Sequence, residues 1–213
     1  MSIRSKKQLA VILSKLEDFS PVGGKSELKL EQYSTPSEIA ADWLWNMANL
    51  GDIGGKVIVD AACGPGFLGL GALLLGAKKV YFVDKSEEAI RLSKLNYNKL
   101  KEEFEIVGSE FICSDINDFN VAVDVVIQNP PFGTKIKHLD KIFLEKAFSF
   151  GKVVWSMHKL STTKFVEAMA RDHNYEVTHH WKYDFMIKKK FAFHTKPKVI
   201  VEVGLWRMEK MKA

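Results

Sequence analysis

Through the middle of the chain, short β-branched or aromatic runs alternate with longer stretches that are apolar at every third or fourth position, and this alternation predicts most of the architecture. Residues 56–60, 78–84, 110–113, 121–128 and 152–156 have the length and composition of buried strands. Between them, helices are expected from the glycine-rich segment around Gly64 through Leu75, from the capping sequence Ser86-Glu87-Glu88-Ala89 to about Leu100, over 141–150 and over 162–172. Strands joined by helices make a parallel sheet covered on both faces. Upstream, residues 3–19 place Leu9, Ile12, Leu13 and Leu16 on one helical stripe; a second helix starts near Pro36 or Ser37 and carries Ile39, Ala40, Trp43, Leu44 and Met47. Downstream, 176–187 and 198–207 alternate as two paired antiparallel strands would, joined by a lysine-rich connection. The expected fold is α/β, a doubly wound, mostly parallel seven-stranded sheet with an antiparallel C-terminal strand. With no repeat and no linker in sight, one domain is expected over 1–213, with an N-terminal helical segment over 1–50 and a Rossmann-like core over 51–213.

The ends of the first three strands carry the first chemical signal: each stops at or next to an acid, Asp60, Asp84 and Asp115. Core packing would put apolar residues there. The loop Gly64-Pro65-Gly66-Phe67-Leu68-Gly69 fits G-x-G-x-x-G, and Asp84 lies 20 residues beyond Gly64, so the dinucleotide fingerprint is formally met. Pro65, however, removes an amide that would cradle a pyrophosphate, and a carboxylate at Asp60 would repel one. The same residues suit a cationic ligand, the amino-acid and sulfonium part of S-adenosyl-L-methionine. Asp84 would then accept from the ribose hydroxyls and Asp115 from the adenine amine.

The second signal is Asn129-Pro130-Pro131-Phe132, at the carboxyl end of the fourth strand. Two prolines fix φ and delete two N–H donors, which leaves the Asn129 side chain and the Pro130 carbonyl as acceptors beside a flat aromatic ring, Phe132. Such a loop can take both hydrogens of an exocyclic amine while the ring stacks on its heterocycle. Asn and Pro are also ordinary turn residues, so the tetrapeptide alone also reads as a turn.

Charge and cysteine usage narrow the class. The formal net charge is +5, but residues 182–213 hold nine Lys/Arg against three Asp/Glu, so the basic character belongs to the C-terminal end. Lys188, Lys189, Lys190 and Lys196 crowd the connection between the last two strands, where His194 also lies, and a local basic segment suits a phosphate backbone. His158 and Lys159, after the fifth predicted strand, are further candidates for RNA phosphates, read against ordinary loop residues. His173, His179 and His180 read as surface or packing histidines, and Trp43, Trp45 and Trp155 as core or rim. Cys63 and Cys113 show neither disulfide nor zinc spacing, so no metal is expected and a reducing cytoplasm fits. The longest uncharged apolar run, 61–77, is broken by Pro65 and by glycines and falls short of the ~20 residues a membrane span needs.

With these motifs in place, the chain resembles class I methyltransferases acting on exocyclic nitrogens, and more narrowly the methyltransferase-like protein 5 family, which methylates N6 of an adenosine in small-subunit ribosomal RNA. The resemblance runs nearly end to end. It is carried by Leu30-Glu31-Gln32-Tyr33 with Thr35, by Asn129 through Lys135, by Ser156-Met157-His158-Lys159 with Ser161-Thr162, and by Phe193-His194 with Lys196. It implies that Gln32 and Thr35 close over the cofactor, that Ala62, Pro65 and Phe67 line it, and that Asp84, Asp115 and Ile116 hold its ribose and adenine. It also implies a small zinc-binding activator protein as partner. One position departs from the family loop: Ala62 stands where its first glycine is. A protein glutamine N5-methyltransferase and a non-catalytic RNA-binding scaffold of the same fold are the competing readings.

Overall fold

The computed structural model describes residues 3–19, 34–131, 139–188 and 198–212. Seven strands, β1 (Val57–Ala61), β2 (Lys79–Asp84), β3 (Ser109–Cys113), β4 (Val123–Gln128), β5 (Gly151–Lys159), β6 (Tyr175–Lys188) and β7 (Lys198–Lys210), form one sheet in the order β3-β2-β1-β4-β5-β7-β6. The first five run parallel; β7 is antiparallel to both β5 and β6. The central strands read Val57-Ile58-Val59 and Val125-Val126-Ile127 because both faces are buried and neither can show polar alternation.

Helices cover both faces. On one lie α1 (Lys6–Leu13), α2 (Ser37–Asn49), α3 (Phe67–Leu74) and α4 (Glu87–Lys101), which bury Leu9, Leu13, Trp43, Leu44, Leu70 and Ile90 against the sheet. On the other, α5 (Leu139–Phe150) and α6 (Thr163–Asp172) contribute Phe143, Leu144, Val166 and Met169. The expected helix over 3–19 stops early: α1 ends at Leu13 with Ser14 as its cap, and the chain beyond is fixed by contacts far away in sequence. The turn after α2 is pinned by a buried pair, in which Asp52 accepts from Arg207 Nε at 2.7 Å and from Trp155 Nε1 at 2.8 Å. This pair fixes the far end of the helix that begins beside Thr35.

Strand order reverses between β1 and β4, and ligands of such sheets bind in the crevice outside the carboxyl ends at that point. Register brings the motifs there. Ala61 pairs with Gln128 and with Val83, so Ala62, Asp84 and Asn129 are the next residues on three neighbouring strands. At the same end, β6 and β7 run five pairs beyond Lys159↔Val203, the last pair with β5, so the hairpin overhangs the crevice edge by about 17 Å.

Candidate active site

The loop after β1 is built from tight backbone geometry. Ala62 adopts φ 58, a left-handed conformation that strains a residue with a Cβ and that glycine takes freely. Gly66, at φ 86, caps α3, and a Cβ there would come within 2.9 Å of Ser93 Cβ on α4. Asp60 lies behind this loop at 1% exposure, and its Oδ2 accepts from Gly69 N at 2.8 Å in the first turn of α3. Burial raises its carboxyl to about 8, against the Gly69 hydrogen bond, and the nearby Asp84 adds to the rise. Asp60 is therefore not the open carboxylate expected in front of a cation. In this state it supports the loop from beneath and is mostly protonated at neutral pH.

Asp84 faces the loop from the end of β2. Its Oδ2 accepts from Gly64 N at 3.0 Å and its Oδ1 from Ser86 N at 2.9 Å. Burial raises its pKa, against those two backbone bonds. Each oxygen accepts one backbone N–H and retains a second lone pair, the arrangement two neighbouring hydroxyls need. Ala62 and Gly64 remain half-buried, whereas Pro65 and Phe67 are buried, so the open wall of the loop is the first pair. Asp115 is exposed and caps a short 3-10 turn, with Oδ1 accepting from Asn117 N at 2.9 Å, while Ile116 packs into the core beneath α5.

Asn129 holds the most informative atom. Its Nδ2 donates to Thr35 Oγ1 at 3.0 Å, and its Oδ1 is buried without a hydrogen-bond partner. Leaving a buried acceptor unpaired costs about 1–3 kcal/mol. Among the described residues the other orphaned side-chain atoms are Gln128 Oε1 and the indole nitrogens of Trp43 and Trp206, and only Asn129 stands on a loop at the crevice. Pro130 is buried and Pro131 partly exposed. Phe132 and Gln32 lie outside the described residues.

Two polar clusters join residues that nothing in the sequence links to one another. Asn96, on α4 and 0% exposed, accepts from Glu17 N at 2.7 Å and donates to Glu17 O at 2.8 Å and Pro65 O at 3.0 Å, tying the N-terminal segment to the glycine loop. Phe19 packs beside it, its ring 3.6 Å from where a Cβ on Gly64 would stand. Ser34 Oγ donates to Asp18 Oδ1 and so brings residue 34 to the same segment. The second cluster lies under Asn129: Gln128 Nε2 donates to Ser156 Oγ at 2.9 Å, which lies 2.5 Å from His158 Nε2.

That second cluster corrects one expectation. The sequence alone suggests that His158 is a loop residue facing RNA phosphates, but β5 runs on to Lys159, so His158 is a strand residue paired with Gly204. It is 3% exposed, and burial lowers its pKa to about 3, so it is neutral and enclosed. Lys159 ends β5 at the rim, and Lys188 ends β6 at the far end of the overhanging hairpin. Lys189, Lys190, His194 and Lys196 lie outside the described residues. Among the described residues no cluster of His, Cys, Asp or Glu could hold a metal ion, and no helix is long and apolar enough to cross a membrane.

The chain is similar to known proteins along most of its length. The family described as methyltransferase small domain matches residues 43–150, about half of the chain. The Danio rerio rRNA N(6)-adenosine-methyltransferase METTL5 is 32% identical over 94% of this chain and 97% of its own length. The chain belongs to the METTL5 family. The Methanocaldococcus jannaschii protein MJ0284, which carries no functional name, is 34% identical over 97% of this chain and 94% of its own. A solved Pyrococcus horikoshii protein, PH1948, described as a candidate RNA methyltransferase, is 39% identical with a TM-score of 0.86, covering 99% of this chain and 100% of that one. An archaeal-type METTL5 member fits both matches.

Proposed function

We propose that, within the activity of its family, this METTL5 member transfers a methyl group from S-adenosyl-L-methionine to N6 of an adenosine in small-subunit ribosomal RNA, with Asn129 gripping the amine. The observation that carries this reading is the orphaned, buried Asn129 Oδ1 at the strand-order switch point, an acceptor in want of an N–H donor. The cofactor would lie along Ala62 and Gly64, with its ribose hydroxyls on Asp84. When bound it supplies an electrophilic methyl group. Asn129 Oδ1 and the Pro130 carbonyl accept the two amine hydrogens, which turns the nitrogen lone pair out of the ring plane and toward the cofactor side, and Phe132 stacks on the adenine. As the nitrogen–carbon bond forms, the methyl carbon–sulfur bond would break and leave a neutral thioether, and the methylated nitrogen, then cationic, would lose one proton to water; such an amine needs alignment more than a strong base, and holding the reacting atoms near 3 Å in line supplies most of the acceleration.

Lys159 and Lys188, at the ends of β5 and β6, would take the RNA backbone together with Lys189, Lys190, His194 and Lys196 of the lysine-rich sequence between β6 and β7. A glutamine amide would meet the same acceptors, but two relatives that match over more than nine-tenths of the chain are named for ribosomal RNA. The zinc-binding activator implied by resemblance has no support in the similar proteins found. The deciding experiment supplies tritiated cofactor with small-subunit RNA, large-subunit RNA and protein substrates in parallel, using wild type and Asn129→Ala. Counts in small-subunit RNA alone, lost in the variant while cofactor still binds, are expected. Equal labelling of large-subunit RNA removes the subunit assignment, and normal turnover by Asn129→Ala removes the mechanism. No turnover by wild type until a second protein is added would show that a partner is required.

A further inference from the structure

We propose that the overhanging β6–β7 hairpin carries a second base-binding site on one face, separate from the crevice at Asn129, for an unpaired nucleotide with an exocyclic amine in the same RNA; this rests on the reading of RNA as the substrate given above. Beyond Lys159↔Val203 the hairpin continues as Asp184↔Glu202, Phe185↔Val201, Met186↔Ile200, Ile187↔Val199 and Lys188↔Lys198. Alternate residues on a strand share a face. The face that holds Phe185, 1% exposed, is closed against the core beside Val203. The other is open: Asp184 and Glu202 are exposed, and Met186 and Ile200 are 40% and 60% exposed. Of the exposed large apolar residues among the described ones, only Met186 and Ile200 stand opposite each other in the sheet.

Folding does not ask for this arrangement. Like charges directly opposite each other destabilise a ladder, yet an acid pair precedes the apolar pair and a lysine pair, Lys188↔Lys198, follows it. The order of the pairs does match a nucleotide laid along the strands, each step of two residues being about 7 Å. The lysine pair attracts a phosphate, and Met186 and Ile200 offer an apolar floor for a base. The carboxylates, which only accept, repel phosphate and receive the hydrogens of an exocyclic amine. Uracil would set a carbonyl oxygen there instead. Size argues against a protein partner, because a stable protein interface buries about 1,000 Å² or more, whereas two side chains cover one base. The apolar pair stands about 10 Å beyond the end of β5, outside the crevice, so it meets a nucleotide at a distance from the methylated adenine.

The test measures, by fluorescence anisotropy over a range of salt, the binding of short oligocytidylate and oligouridylate, whose bases differ at the exocyclic amine. Wild type is expected to bind oligocytidylate about threefold more tightly or better, the worth of a net hydrogen bond. Met186→Thr together with Ile200→Thr, which keeps strand propensity, should weaken oligocytidylate about fivefold to tenfold and leave the slope of log affinity against log salt unchanged, because no phosphate contact is lost. Asp184→Ala together with Glu202→Ala should bring the two oligonucleotides to within about twofold of each other. Equal binding of the two by wild type, which needs no variant to fold, overturns the proposal. So does wild-type affinity in the apolar-pair variant, or a flattened salt slope there, which would mean that the lysines and not the floor were disturbed. Wild-type protein that self-associates in sedimentation, and stops when the apolar pair is replaced, makes the face a contact between copies and overturns it as well. Asn129→Ala should keep the preference for oligocytidylate; its loss there would assign the preference to the crevice. Binding of both oligonucleotides without preference removes this site alone, whereas no binding of either, with tritium appearing in protein and not in RNA, removes the reading beneath it.

Discussion

Replacing Asn96 with Asp changes one atom in a site where the direction of every hydrogen bond is known, and its effect should depend on pH. The wild-type carboxamide accepts from Glu17 N and donates to the carbonyls of Glu17 and Pro65, at 0% exposure. An ionised Asp keeps the first bond but turns an anion toward two carbonyl oxygens away from water. The folded protein therefore holds it protonated, and its single O–H can restore one of the two lost bonds. Keeping an Asp neutral at pH 7, about three units above its unperturbed value near 3.9, costs roughly 4 kcal/mol. At pH 4 the penalty shrinks to the one missing bond, about 1 kcal/mol. The sign follows from linkage: the folded pKa is raised above the unfolded one, so stability is kept at low pH and lost as pH rises through the window between them. Urea denaturation of both proteins from pH 4 to pH 7.5 should show the gap widening by up to ~1.4 kcal/mol per unit. A gap that stays flat across that range would mean that Asn96 does not face two carbonyls in a dry site, and the tie between the N-terminal segment and the glycine loop would have to be abandoned.

Much of this was legible in the sequence because it rests on local pattern. Val57-Ile58-Val59 and Val125-Val126-Ile127 announce buried parallel strands by the absence of alternation, and Gly64, Asp84 and Asn129 announce themselves by following such runs. What stayed hidden depends on the partner across the fold. Asn96 occupies a helix whose neighbours Lys94, Lys99 and Lys101 read as a solvated face, and nothing local says that Glu17, 79 residues away, will close over it. His158 escapes a local reading because a strand that gains an antiparallel neighbour, β7, extends past the point where its parallel neighbour β4 ends. Asp60 looks like an exposed anion from its spacing; only the packing of α3 over it shows otherwise.

The remaining predictions bear on the cofactor, the RNA and the buried acid. Asp84→Ala should weaken S-adenosyl-L-methionine by about 1.5–3 kcal/mol for each charge-assisted bond lost, and an unchanged calorimetric Kd would move the ribose elsewhere. Replacing Lys188, Lys189 and Lys190 with Gln should weaken RNA binding and flatten its log–log salt slope by roughly two to three units, with cofactor affinity unchanged; a wild-type slope would leave these lysines as solvated surface. Asp60→Asn addresses the buried acid, which in the fold titrates at about 8 because burial disfavours its charge. Unfolded, it titrates near 3.9, so the native state carries the extra proton between about pH 4 and pH 8 and stability falls as pH rises through that window. The introduced carboxamide would still accept from Gly69 N without ionising, so the variant should lose part of the decline. The rest persists because burial raises Asp84 as well. Parallel stability curves for wild type and Asp60→Asn between pH 5 and pH 8.5 would show that Asp60 does not change its charge in that range, and that it meets the loop as an anion.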